Sequence, residues 1–177
     1  MKKIKAFFSN SSIRWYDWVI LGVLMLFCFL TYAMSDLYHT TACSYGYLDG
    51  HFADFYDYLA SEGIASDGSI GIHASYLPTV YILFAVWNIP MKLFRVVPHA
   101  TMQLGILPVM WAKLFPCLVL FAVGYVVFLI GQELKMGDRK SKILFYAFIS
   151  CPVILYGQFI IGQYESLFLF FVLAGFL

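Results

Sequence analysis

Leu114 to Gln132, LFPCLVLFAVGYVVFLIGQ, runs for 19 residues without a charge. A helix needs about 20 predominantly apolar residues to cross roughly 30 Å of hydrocarbon, so this stretch predicts a transmembrane helix. Ile143 to Ile161 gives the same signal on its C-terminal side. On the N-terminal side Trp15 to Met34 is uncharged from Trp18 onward, with Trp15, Tyr16 and Trp18 as an interfacial belt. Ser166 to Leu177 is apolar too, but its 12 residues would reach only about 18 Å. It reads as the start of a further helix inside which the chain stops, as in a truncated or interrupted version of a longer protein.

The composition agrees. Of 177 residues, 62% are hydrophobic, 20% aromatic and 12% charged, where a soluble domain carries about a quarter charged. Lys and Arg number 11 against 10 Asp and Glu, a net charge of +1, so no polyanion partner and no nucleic acid is implied. These values exclude a soluble globule and a disordered tail. The expected class is an all-α integral membrane protein: a bundle of about four hydrophobic helices with a long extracytoplasmic first loop containing interfacial helices. Cys28, Cys117 and Cys151 lie in apolar runs and Cys43 in polar surroundings, which offers neither a disulfide framework nor a CxxC pair.

Orientation follows from the cations. Lys2, Lys3, Lys5 and Arg14 precede the first span, and Ala33-Met34-Ser35 is a poor cleavage site, so the segment reads as an uncleaved anchor with a cytoplasmic N-terminus. Tyr76 to Phe94 decides the rest. It is apolar, but Pro78 and Pro90 interrupt it, and Lys92 and Arg95 close it. If it crosses, the inside holds Lys2, Lys3, Lys5, Arg14, Lys92 and Arg95, six cations against the four of Lys135, Arg139, Lys140 and Lys142. If it stays outside, the inside holds the first four plus that cluster, eight against Lys92, Arg95 and Lys113. The positive-inside rule favours the second arrangement. The expected order is then a cytoplasmic N-terminus (1–14), a span (15–34), and an extracytoplasmic region (35–108) with surface helices and an interfacial or re-entrant segment at 76–94. A span (109–133), a basic cytoplasmic loop (134–142), a span (143–161) and the start of another (162–177) complete it.

Within the outer region Leu37, Tyr38, Thr41, Tyr45 and Leu48 fall near helical spacing, and Asp49-Gly50 ends that helix. Phe52, Phe55, Tyr56 and Leu59 then follow the i, i+3, i+4, i+7 pattern, as in a helix lying along the membrane with its rings among the headgroups. Gly63, Gly68 and Gly71 with Ser61, Ser66 and Ser69 read as a flexible connector.

Three charged positions invite chemistry. Asp36, just past the first span, is either a solvated flanking acid or a general base whose partial desolvation raises its basicity; His39, three residues on, shares its helical face. Glu165, in GQFIIGQYES (157–166), either caps the next helix or marks a site, since ionisable groups at such depth are costly. Lys113, beside Trp111, either snorkels to headgroups or neutralises a lipid-borne phosphate. No Walker loop, HExxH, GxSxG, dinucleotide fingerprint or zinc spacing is present.

The order of these features resembles the GT-C superfamily of membrane glycosyltransferases, which use polyprenyl-phosphate-linked sugars. Asp36 matches the acid that opens the family's first outer loop. GHFADFYDY (50–58) is similar to its Gly…Phe-Tyr pattern, and Tyr76-Leu77-Pro78 to its Tyr-Pro-Pro step. Lys113-Leu114-Phe115-Pro116 matches the basic residue opening a long span, and Cys151-Pro152 through Gly162-Gln163-Tyr164-Glu165 a span ending in Gly-Gln-x-Asp/Glu. Leu77 replaces a proline, Glu165 the commoner Asp, and members carry several more spans. The resemblance implies inverting transfer of a sugar to a hydroxyl of a glycan or lipid-linked acceptor. Asp36 is the implied catalytic base, with Lys113 or Arg95 at the leaving phosphate. Gln163 and Glu165 would hold sugar or acceptor hydroxyls, and His39 and Tyr76 would lie on the substrate side. It implies no bound organic cofactor; some members use a divalent metal. The competing expectations are a non-catalytic membrane subunit or truncated paralogue that packs against other subunits and, behind it, a transporter, disfavoured because the acids cluster outside the spans. A bacterial plasma membrane is favoured over the ER.

Overall fold

The computed structural model describes residues 13–31, 35–61 and 76–177. The Gly/Ser connector and most of the N-terminal tail lie outside the described residues. Every regular element among those described is helical: α1 (Trp15–Leu30), α2 (Ser35–Leu48), α3 (Phe55–Ser61), α4 (Pro78–Leu93), α5 (Ile106–Glu133), α6 (Asp138–Ile149), α7 (Pro152–Leu155), a π-helical stretch (Tyr156–Ile161) and α8 (Ser166–Ala174). The chain forms two compact units, 33–115 and 1–32 with 116–177, and α5 supplies its first part to one and the remainder to the other.

α5 has 28 residues, about 42 Å of helix, and is long and apolar enough to cross a membrane. α6 and the Pro152–Ile161 segment pass the same test only as one span bent by 46°. The bend falls where Pro152 has no N–H to continue the ladder: Ser150 N–H reaches Tyr146 O at 2.9 Å and Cys151 N–H reaches Phe148 O at 3.3 Å, and the helix restarts from Cys151. The expected first span, 15–34, is shorter as a helix. Thr31 is extended, its hydroxyl donating to the Cys28 carbonyl, so α1 stops after 16 residues, about 24 Å. The basic loop contracts as well. Lys135 and Gly137 take positive φ (57° and 81°) in a tight turn, α6 begins at Asp138, and Lys142 turns inward to pair with Asp138 at 2.8 Å.

In the unit formed by 1–32 and 116–177, α1 lays Leu21, Met25 and Cys28 against Cys117, Leu120, Phe145 and Ile149. Trp18 meets Tyr146 edge-on at 5.3 Å, and the Tyr146 hydroxyl donates to the Asp17 carbonyl at 3.1 Å. On the other side of α1, Val19, Ile20, Val23, Phe27 and Leu30 are exposed, as are Phe168, Phe171 and Val172 on α8.

The other unit is built around α2. Leu37 and all residues from Thr40 to Tyr47 are buried, so α2 is a central helix and not a surface one. Cys43, expected in polar surroundings, is fully buried. Burial pushes its thiol up to about 12, too high for a nucleophile at neutral pH. α3 also differs from the membrane-surface expectation. Phe55 and Leu59 are buried, Phe55 stacking on Tyr47 at 4.1 Å, and only Phe52 and Tyr56 remain outside. α4, begun by Pro78, turns Tyr81, Phe84, Ala85, Asn88 and Met91 inward, an i, i+3, i+4, i+7 face. Ser44 pairs with Asn88 at 3.1 Å and, further along both, Asp49 pairs with Lys92, so α2 and α4 run in the same direction. Trp87 and Trp111 lock α4 to the start of α5. Their rings stack at 5.0 Å, and each indole N–H donates to the other's carbonyl, at 2.8 and 2.9 Å.

Candidate functional site

Asp36 occupies the first turn of α2 and is exposed. A carboxylate there is favoured by the helix dipole and is open to a ligand. Three residues on, His39 is half-buried, its ring edge-on to Tyr38 at 6.1 Å. The Tyr38 hydroxyl accepts the Leu104 N–H at 2.7 Å and donates to the Met102 carbonyl, fixing the 102–104 strap beside this end of α2. Tyr76 is partly exposed; its carbonyl accepts the Tyr56 hydroxyl at 2.9 Å. Lys113 departs from the expected entrance of a span. α5 begins at Ile106, so Lys113 lies two turns inside, and it is fully buried, not reaching headgroups.

Arg95 is at the opposite end of this unit. It lines a cavity of about 380 Å³ with Lys92, Pro98 and His99. Lys92 of that cavity bonds Asp49, which follows the last residue of α2. Asp36 and Asp49 are 13 residues apart, about 20 Å along the helix. A general base must come within hydrogen-bond reach of its proton, so Arg95 does not share a reaction centre with Asp36. Sequence spacing could not reveal this, because it depends on α4 running alongside α2 in the same direction.

Asp49 itself escaped the sequence reading. Its side chain is 7% exposed. It accepts the Lys92 ammonium, the Ala100 N–H at 2.7 Å and the Tyr58 hydroxyl at 3.4 Å, with His99 Nδ1 at 3.7 Å. Asp49→Ala leaves the ammonium and the amide without this acceptor. Because Lys92 is a quarter exposed and can rehydrate, the expected loss is about 2–3 kcal/mol, below the full cost of breaking a buried pair. Thermal unfolding in detergent reads it, and Asp49→Asn, which keeps an acceptor for Ala100, should lose less.

Gln163 and Glu165 do meet in one place. The π-helical stretch ends at Gly162, whose φ of 78° suits glycine, and the chain then turns into α8. A cavity of about 350 Å³ opens here, lined by Gln158, Gln163, Glu165 and Ser166 and walled by Leu120, Phe148, Ile154 and Leu169. Gln158 is buried and donates from Nε2 to the Gln163 carbonyl at 2.8 Å. The Ser166 hydroxyl is buried without a hydrogen-bond partner. Glu165 sits at the N-cap of α8 but makes no side-chain cap bond, so its carboxylate is not used as a cap. One carboxylate, one hydroxyl and two amides set in apolar walls can bind hydroxyl groups on an amphipathic molecule. Gln158 and Ser166 both lie in the quoted GQFIIGQYES run without a role assigned to them there; the π-helical register around Gln158, a frequent mark of functional sites, has no sequence signature of its own. Among the described residues, no group of three or more His, Cys, Asp or Glu stands together as a metal site.

Comparison with protein-family models, with curated proteins and with solved structures finds no match to this chain.

Proposed function

We propose that this chain is a multi-pass membrane glycosyltransferase of the GT-C type that moves a sugar from a polyprenyl phosphate to a hydroxyl acceptor on the extracytoplasmic face. The observation that carries the reading is the Gln158–Ser166 cavity. It is lined by both polar and apolar side chains, as suits a ligand with a hydroxylated head and a hydrocarbon tail. The exposed apolar faces of α1 and α8 support a lipid surrounding, since contiguous apolar exterior is unfavourable in water.

In this reaction Asp36 takes the acceptor hydroxyl proton as that oxygen attacks the anomeric carbon. The bond from that carbon to the phosphate oxygen breaks, and polyprenyl phosphate leaves with the electron pair; Lys113, the cation expected at that phosphate, is fully buried and does not meet it. Gln163 and Glu165 bind hydroxyls in their own cavity, and His39 and Tyr76 flank the acceptor in the unit that carries Asp36. Arg95 is left out of the step for the distance given above.

The second reading, a non-catalytic subunit, draws on the exposed Phe168, Phe171 and Val172 of α8, a face another helix can cover. Two measurements separate the readings. Purified chain given a panel of polyprenyl-phosphate sugars with hydroxyl acceptors should release polyprenyl phosphate only when an acceptor is present; release with no member of the panel favours the subunit. Cysteine labelling tests orientation. Asp57→Cys should react from outside and Lys140→Cys only after permeabilisation, both positions being exposed. Labelling of both from one side would end the proposed topology.

A further inference from the structure

We infer that the cavity at the C-terminal end of α4 binds the phosphate of an anionic phospholipid headgroup, at a place separate from Asp36. This does not rest on sugar transfer. Lys92, Arg95 and His99 converge there with Pro98. The acid in contact with this group, Asp49, is already engaged by the Lys92 ammonium and the Ala100 N–H, so its charge is offset and Arg95 remains as surplus positive charge at the rim. Arg95 is held at φ 55°, uncommon for a residue with a side chain. The turn that holds it is closed by Arg95 N–H to Lys92 O and Val96 N–H to Met91 O, both at 3.0 Å. Backbone outliers of this kind cluster at ligand clamps.

The same turn presents apolar side chains outward. Leu93 is 74% exposed, Phe94 78% and Val96 41%, directly beside the cations in sequence. Exposed cations alone hold a free anion weakly, because in the high dielectric of water the Coulomb gain is small and ordering the long side chains offsets it. Cations flanked by protruding apolar groups suit a bilayer surface, where the apolar groups enter the acyl boundary and the cations meet phosphate. That pairing selects a lipid phosphate over a dissolved one.

The test uses the full chain in a neutral detergent, with dihexanoylphosphatidylglycerol as probe and dihexanoylphosphatidylcholine and sodium phosphate as separate arms, binding being read by native mass spectrometry. The phosphatidylglycerol should bind at least about tenfold more tightly than either. Arg95→Gln should weaken it by about fivefold, the worth of one cation near a lipid surface. Phe94→Ser should weaken the lipid while leaving inorganic phosphate unchanged. His99→Gln, at an exposed position lining the same cavity, serves as the second variant if Arg95→Gln does not fold. Equal affinity for phosphate and phosphatidylglycerol would make this a soluble-anion site and overturn the lipid assignment. Equal affinity for the choline lipid would remove charge recognition, and indifference to all the substitutions would place binding elsewhere.

Discussion

Asp36→Asn is expected to slow sugar transfer by about 10²–10⁴-fold, the usual contribution of a positioned general base. Asparagine keeps the shape of the side chain but cannot take the acceptor proton. The fold should survive. Asp36 is exposed in the first turn of α2, and losing its interaction with the helix dipole costs only about 0.3–1 kcal/mol. The loss should appear in kcat with KM little changed, because the group acts in the transition state and not in binding the ground state. Asp36→Glu, which retains basicity but displaces the carboxylate, should fall between the two. Polyprenyl phosphate release at saturating donor measures all three proteins. An unchanged rate in Asp36→Asn removes Asp36 from the chemistry, and with it the strongest link to the GT-C pattern.

Gly124→Leu should unfold the α5–α6 pair at a temperature well below the parent. A Cβ at Gly124 would lie 2.8 Å from Phe145 Cε2 and 2.9 Å from Ile149 Cγ2, and both of those side chains are buried. Seven residues on, a Cβ at Gly131 would lie 2.8 Å from Ser141 Oγ and 3.3 Å from the Ser141 Cα, where backbone cannot yield. The antiparallel helices pack closely at these two glycines, as small residues allow. Over-packing usually costs about 1–3 kcal/mol. With Cβ contacts already inside 3.0 Å, a leucine should reach the upper end or beyond. Gly22→Ala is the control: nothing lies within 4 Å of its Cβ, so replacing a mid-helix glycine should be neutral or stabilising by up to about 1 kcal/mol. Thermal unfolding in detergent compares them; equal midpoints for Gly124→Leu and the parent would show that the two helices are not in close contact.

Much of the local structure was legible. The Leu37–Leu48 spacing marked α2, and the Phe52, Phe55, Tyr56 and Leu59 spacing marked α3, although that helix starts only at Phe55. Which way these helices face was not. Phe55 and Leu59 pack on α2 and α4, yet the same rings at the same spacing would serve equally well against lipid headgroups. Lys113 and Lys142 read as boundary charges and are both buried. Lys142 is turned inward by Asp138, four residues before it. The cluster of Asp49 with Lys92 joins positions 43 apart, beyond any local pattern.

By itself, the sequence determined that this is a helical chain containing a membrane-length apolar helix. That property depends on hydropathy and the 3.6-residue period, which are local. Only the tertiary structure decided that α2 is central, that Asp36 and Arg95 stand a helix length apart, and that Gln158, Gln163, Glu165 and Ser166 line one cavity. The reason is physical. Hydrocarbon and a neighbouring helix are equally apolar, so composition does not distinguish a lipid-facing side chain from a packed one; that choice is made by which helices come to lie together.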